Sequence, residues 1–231
     1  MERKLAAILS ADVTGYSRLM GEDEVATIET LTAHRIVTDS LIQQHHGRIV
    51  NIAGDSVLAE FASAVDAVQC AVEIQHALKA NNADLSPKRQ MEFRIGINVG
   101  DVVVAGEELY GDGVNVAARL QGLADAGGIF IAGTVYDQVK NKLALQYENL
   151  GEQTVKNIAE PVRVFRIQTE QDTKNQKAED SASQKAKGKN QKAKIRSRVR
   201  PARQILVGLV LMAGAITAVR YIPFSSFRIP H

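Results

Sequence analysis

Two aspartates stand where they could hold a divalent cation. Asp12 closes an apolar run in LSADVTGYS, and Asp55 occupies the turn of VNIAGDSVLAEF. If the first run is a strand lying beside a hairpin made by the second, both carboxylates converge at one sheet edge. Two oxygen ligands with open positions suit Mg²⁺ held jointly with substrate phosphates. Taken alone, a pair of turn-forming aspartates explains the same spacing. Directly after Asp12 comes Val13-Thr14-Gly15-Tyr16-Ser17, with a glycine and hydroxyls where strand gives way to helix. Such a turn can aim backbone N–H groups at a phosphate. It is not a Walker loop, because the chain has no GxxxxGK[ST]. A third element is GDGVNVAARL, whose Asn115 and Arg119 are four apart and share one helical face. Among so many apolar neighbours a buried Asn and Arg require polar partners. A capping Asn with a surface Arg is an equally good reading of that segment by itself.

The elements that must position these residues alternate between strand and helix patterns. Leu5 to Ala11 is apolar and of strand length. About Glu22 to His45 is helical, with Val25, Ile28, Leu31, Ile36 and Leu41 on one side. Arg48 to Ile52 and Ser56 to Phe61 flank the turn Gly54-Asp55, and Ala64 to Ala80 is a helix that Ser63 and Asp66 can cap as a box. Phe93 to Val99 and Val102 to Ala105 flank Gly100-Asp101, a second hairpin signal. Gly113 to Leu123 follows as a helix, Ile129 to Ala132 as a strand, Thr134 to Leu143 as a capped helix and Val162 to Ile167 as a closing strand. Hairpins mixed with helices predict an α+β sheet covered on one face, not a doubly wound parallel sheet.

Charge divides the chain. The net charge of +2 hides 15 Lys and Arg against 24 Asp and Glu over residues 1–173, then 11 against 2 over 174–203. The second stretch is Lys, Gln, Ala, Ser and Arg with little to bury, a composition expected of a flexible linker. Ile205 to Val219 then runs fifteen residues without a charge. Extended to 204–222, with Arg203 and Arg220 reaching the interfaces, it is expected to span a membrane once. The basic block before it places the preceding residues in the cytoplasm by the positive-inside tendency. A nucleic-acid tail is disfavoured, since no aromatics interleave the charges. The single cysteine, Cys70, lies in an apolar helical pattern and is expected in the core. His45-His46 before Gly47 fits a helix end better than a metal site. The N-terminus reads as a first strand, not a cleaved signal.

The order of LSADVTGYS, GRIVNIAGDSVLAEF, RIGINVGDVV and LYGDGVNVAARL resembles the class III adenylate/guanylate cyclase catalytic domain in its bacterial form, over about residues 3–168. The resemblance implies a ferredoxin-like βαββαβ core with added elements, working as a head-to-tail homodimer with active sites built from both subunits. It implies that Asp12 and Asp55 hold two Mg²⁺ or Mn²⁺ ions per site and that Gly15, Tyr16 and Ser17 receive the triphosphate. It makes Asn115 the residue that orients the ribose and Arg119 the one that stabilises charge at the α-phosphate. Lys156, in TVKNIAEP, lies near the family's phosphate-binding lysine.

Two positions depart from the family's pattern for choosing the base. Asn51 stands where adenine-selective members commonly have lysine, and Glu108 where they have aspartate or threonine; the guanine pattern of glutamate and cysteine does not fit either. Asn51 can donate and accept, and Glu108 can accept from the adenine amino group while repelling guanine O6. ATP is therefore the expected substrate. The expected arrangement is a catalytic domain over 1–170, a basic linker over 171–203, a membrane helix over 204–222 and a tail over 223–231, on the inner face of the cell membrane. The alternatives are a catalytically weak or inactive nucleotide-binding regulatory module, and a guanylate cyclase.

Overall fold

Glu2–Val13 forms β1, the strand around which the sheet is built, because its alternate residues bury toward both faces. The computed structural model describes residues 2–158 and 160–168. The expected linker, membrane helix and tail therefore lie outside the described residues, and among the described residues no helix is long and apolar enough to cross a membrane. After β1 come α1 (Tyr16–Glu22), α2 (Glu24–Gln44), β2 (Arg48–Ala53), β3 (Ser56–Phe61), α3 (Ala64–Ala83) and β4 (Phe93–Ala105). Then follow β5 (Glu108–Tyr110), α4 (Asp112–Leu123), β6 (Ile129–Ala132), α5 (Gly133–Val139), β7 (Gln146–Gln153) and β8 (Val162–Gln168).

The strands lie in the order β2-β3-β1-β4-β6-β8-β7, with β5 turned back on β4. All neighbours on this path are antiparallel except β4 and β6. The first four strands interleave two βαβ units, β1–α–β2 around β3 and β3–α3–β4 around β1. This is the expected βαββαβ core, and the remaining elements extend it.

Ala7, Leu9, Ala11 and Val13 pack into one core with Leu31 and Ile42 of α2 and with Val68, Ala71 and Ile74 of α3. Cys70 is buried in that core, and burial pushes its thiol pKa up to about 12. The opposite residues of β1, Ala6 and Ile8, pack with Ala117 of α4. The sheet is thus covered on its second face as well, over β1 and β4, which corrects the one-face expectation. Gly96 makes this possible, since any Cβ there would collide with the backbone of Ala117 and Gln121. Gly96→Ala is expected to cost about 3 kcal/mol, lowering Tm by roughly 6–12 °C in a thermal melt.

Three further expectations are corrected. The predicted helix from about Glu22 breaks at Asp23, whose Oδ1 accepts from Ala26 N at 3.0 Å and starts α2 anew. The buried side of α2 is not the Val25, Ile28, Ile36 stripe, which is exposed, but Thr27, Thr30, Leu31, His34, Thr38 and Ile42. Threonine tolerates that place because its hydroxyl bonds back into the helix, Thr30 Oγ1 to Ala26 O at 2.8 Å and Thr38 Oγ1 to His34 O at 3.0 Å. Gly100-Asp101 is not a hairpin: β4 runs straight through it, pairing with β1 from Phe93 opposite Val13 to Val104 opposite Glu2. The turn comes later, at Gly106, between β4 and β5.

Candidate active site

Asp12 is the penultimate residue of β1, and register sets it directly opposite Arg94 of β4. The guanidinium grips it with two bonds, Nε to Oδ1 at 2.8 Å and Nη2 to Oδ2 at 3.2 Å. Asp55 follows Gly54, whose φ of 60° belongs to the left-handed region a tight turn requires. Its Oδ2 accepts from the N–H of Val13, the residue next to Asp12, at 3.1 Å. The two carboxylates therefore meet at one end of the sheet. Arg94 feels both. Its hydrogen bonds to Asp12, helped by the charges of Asp12 and Asp55, hold its pKa above the ordinary value against the opposing effect of burial. Asp55 is placed from behind by Arg35 of α2, whose Nη2 donates to the Gly54 carbonyl.

The phosphate-type turn lies alongside. Gly15 takes φ 71° and ψ 25° and caps α1, and its carbonyl accepts from Arg18 N and Leu19 N. The N–H groups of Tyr16 and Ser17, in the first turn of the helix, have no intrahelical acceptor. Thr14 N is tied to Glu92 O at 2.9 Å, which fixes where the turn leaves the sheet.

Asn115 and Arg119 do share one face of α4, and that face is exposed rather than buried. Arg119 Nε donates to the carbonyl of Lys156 at 3.3 Å, so the helix and the loop bearing Lys156 are brought together. Among the described residues Arg119 makes no ion pair with Asp12 or Asp55. One chain thus presents an acidic cluster and, separately, an outward-facing Asn, Arg and Lys group.

Asn51 is exposed on β2, just past a register shift between Ile49 and Asn51. Glu108 opens β5, and its carboxylate accepts from the Tyr110 hydroxyl, which raises the Tyr110 pKa. Arg48 Nη1 reaches Glu107 O at 3.1 Å, so the strands carrying Asn51 and Glu108 adjoin.

Arg94 and Arg35 are the site residues the sequence reading did not single out. Arg94 opens the RIGINVGDVV motif, but its place beside Asp12 follows only from register. A cavity of about 650 Å³ opens elsewhere, between the C-terminal half of α3 and Met91, Glu92 and Phe93. None of the candidate residues lines it, so its size does not make it the active site. Among the described residues no three His, Cys, Asp or Glu side chains cluster as a metal cage. A two-carboxylate site whose remaining positions are filled by substrate and water needs no such cage.

The match to known proteins agrees with this geometry. Residues 2–169 match the family described as the adenylate and guanylate cyclase catalytic domain, and the chain belongs to that family. It is 45% identical over 166 residues to a Rhizobium meliloti protein named "Putative adenylate cyclase 3", covering 71% of this chain and 28% of that protein. An uncharacterised Mycobacterium tuberculosis protein is 34% identical over 62% of this chain and 55% of its own length. The chain thus spans only about a quarter to a half of these relatives. Among solved structures, an adenylate/guanylate cyclase/hydrolase from Silicibacter pomeroyi superposes with a TM-score of 0.69 at 39% identity, over 73% of this chain and 99% of that one. The adenylyl cyclase CyaB from P. aeruginosa superposes with a TM-score of 0.64 at 22% identity, over 73% and 95%, and shares the fold.

Proposed function

We propose that this chain is an adenylate cyclase that forms 3′,5′-cyclic AMP and pyrophosphate from ATP in the interface of a homodimer, tethered to the membrane by residues 204–222. The observation that carries this reading is the meeting of Asp12 and Asp55 beside a phosphate-type turn, while Asn115 and Arg119 point outward on the same chain. Each half lacks what the other offers, and a second copy turned head to tail would supply both.

The donor set fits divalent ions. Two carboxylates converge where a positive group, Arg94, is already held. Asp12 and Asp55 would hold the ions. Mg²⁺ or Mn²⁺ bound there lowers the pKa of the ribose 3′-hydroxyl and offsets phosphate charge. The Gly15–Ser17 turn faces the triphosphate with its free N–H groups, and Lys156 of the second copy, carried beside Arg119, adds charge there. Asn115 of the second copy orients the ribose so that the 3′-oxygen lies in line with the α-phosphorus. As that oxygen attacks and pyrophosphate leaves, Arg119 meets the negative charge that develops.

ATP is favoured by Glu108, which can accept from an adenine amino group, with Tyr110 holding its carboxylate in place. The membrane assignment is supported by the basic block over 174–203 followed by the uncharged run Ile205 to Val219. The reading is tested by incubating the purified 231-residue chain with ATP or GTP and either Mg²⁺ or Mn²⁺. Cyclic AMP release is expected to exceed cyclic GMP release by at least about tenfold. Equal or reversed rates contradict the base assignment. Binding of ATP without any cyclic product favours the regulatory alternative, for which the unusual pair Asn51 and Glu108 speaks.

A further inference from the structure

Arg48 stands directly opposite Glu60 where β2 pairs with β3, and its guanidinium is divided between two elements. Nε donates to Glu60 Oε1 at 2.7 Å, while Nη1 donates to the Glu107 carbonyl at 3.1 Å, in the turn between β4 and β5. Glu60 is itself fixed. Its side chain is only 10% exposed, and Lys4 of β1 brings Nζ to 2.9 Å from the other carboxylate oxygen. A guanidinium can serve two acceptors in set directions, which suits it to tie a turn to a sheet.

Glu108 comes next after Glu107, and then Leu109, which is buried with Ala6, Ile8 and Val102. Val50, the neighbour of Asn51, packs against the same cluster. Glu108 is thus strung between two fixed points, a carbonyl held by Arg48 and a side chain anchored in apolar packing. Asn51 lies three residues along β2 from Arg48. One guanidinium therefore sets the spacing between the two residues read as contacts for the base. Its charge is placed as well. With Glu60 as counter-ion, Arg48 makes no ion pair with Glu108 among the described residues, and the Glu108 carboxylate is left to the Tyr110 hydroxyl.

We infer that Arg48, fixed by Glu60, is a positioning residue for nucleotide selection: it sets Glu108 against Asn51 and leaves the Glu108 carboxylate able to accept from an adenine amino group. The inference deepens the ATP reading and rests on it. Arg48 acts through Glu108 on recognition of the base, not on the in-line attack. Its loss therefore shows in KM and in the preference for ATP over GTP more than in kcat.

The test is steady-state cyclisation of ATP and of GTP by the purified full chain with Mn²⁺, comparing Arg48→Gln and Glu60→Gln, with Glu108→Ala as the reference for a lost base contact. Arg48→Gln is expected to raise KM for ATP about fivefold with kcat within about twofold, and to lower the ATP-to-GTP ratio of kcat/KM about fivefold. Glu60→Gln, which leaves the Arg48 charge free to pair with Glu108, is expected to lower that ratio at least as far. A loss of folded protein scales both nucleotides alike, so the ratio separates positioning from stability. If Glu108→Ala lowers the ratio while either of the other variants keeps it within about twofold of the unmodified chain, the positioning role is overturned and the base reading stands. Equal turnover of ATP and GTP by the unmodified chain, or a ratio untouched by Glu108→Ala, overturns the base reading itself, and this inference with it.

Discussion

Asp55→Ala is expected to lower cyclic nucleotide formation by about a thousandfold while the protein remains folded. Asp55 sits in a two-residue turn, outside the hydrophobic core, and what it contributes to the fold is one bond from Val13 N at 3.1 Å. Losing such a bond costs about 1 kcal/mol, a fall in Tm of roughly 2–4 °C for a chain of this size. What it contributes to chemistry is larger. Without its carboxylate the notch keeps one acid, already held by Arg94, and an ion has too few ligands to stay. Rate and stability should therefore separate cleanly. A variant that keeps more than about a tenth of the activity would place the ions elsewhere.

Arg119→Ala is expected to reduce kcat by about a hundredfold or more with little change in KM. Its side chain lies on the exposed face of α4, and its one hydrogen bond among the described residues is to a backbone carbonyl, so the fold loses almost nothing. Its charge matters at the moment negative charge builds up on the α-phosphate, and an interaction made only then shows in kcat. Arg119→Lys should recover part of the loss at most, because an ammonium cannot offer the planar fork. Steady-state kinetics on the two variants settles the point: a rise in KM with unchanged kcat would mean that Arg119 merely holds substrate.

Much of this site was legible in the sequence for plain reasons. An apolar run ending in Asp12 and a Gly-Asp turn at Asp55 are strong local signals, and the hairpin between β2 and β3 brings them to one end of the sheet. Ser63 announced α3, and its Oγ does accept from Val65 N at 3.2 Å and Asp66 N at 3.4 Å. What could not be read locally depends on partners distant in the chain. Gly100-Asp101 has the composition of a turn, yet β1 is long enough to pair along the whole of β4 and carries the strand straight through. The exposed stripe of α2 looks like a core face until the threonines opposite it are seen to satisfy their own hydroxyls. β7, QYENLGEQ, carries no apolar alternation because it lies at a sheet edge and pairs with β8 alone. Arg94 belongs to the same class: only the register of β1 on β4 makes it the neighbour of Asp12.

The sharpest test of a site assembled from two molecules is to mix the two crippled variants. Asp55→Ala and Arg119→Ala, each nearly inactive alone, are combined under conditions that let subunits exchange. Random pairing leaves half of the dimers mixed, each with one complete site, so activity should return to about a quarter of that of the unmodified chain. If the mixture shows no more activity than the two variants measured separately, acid and guanidinium do not come from different copies, and the shared site is wrong.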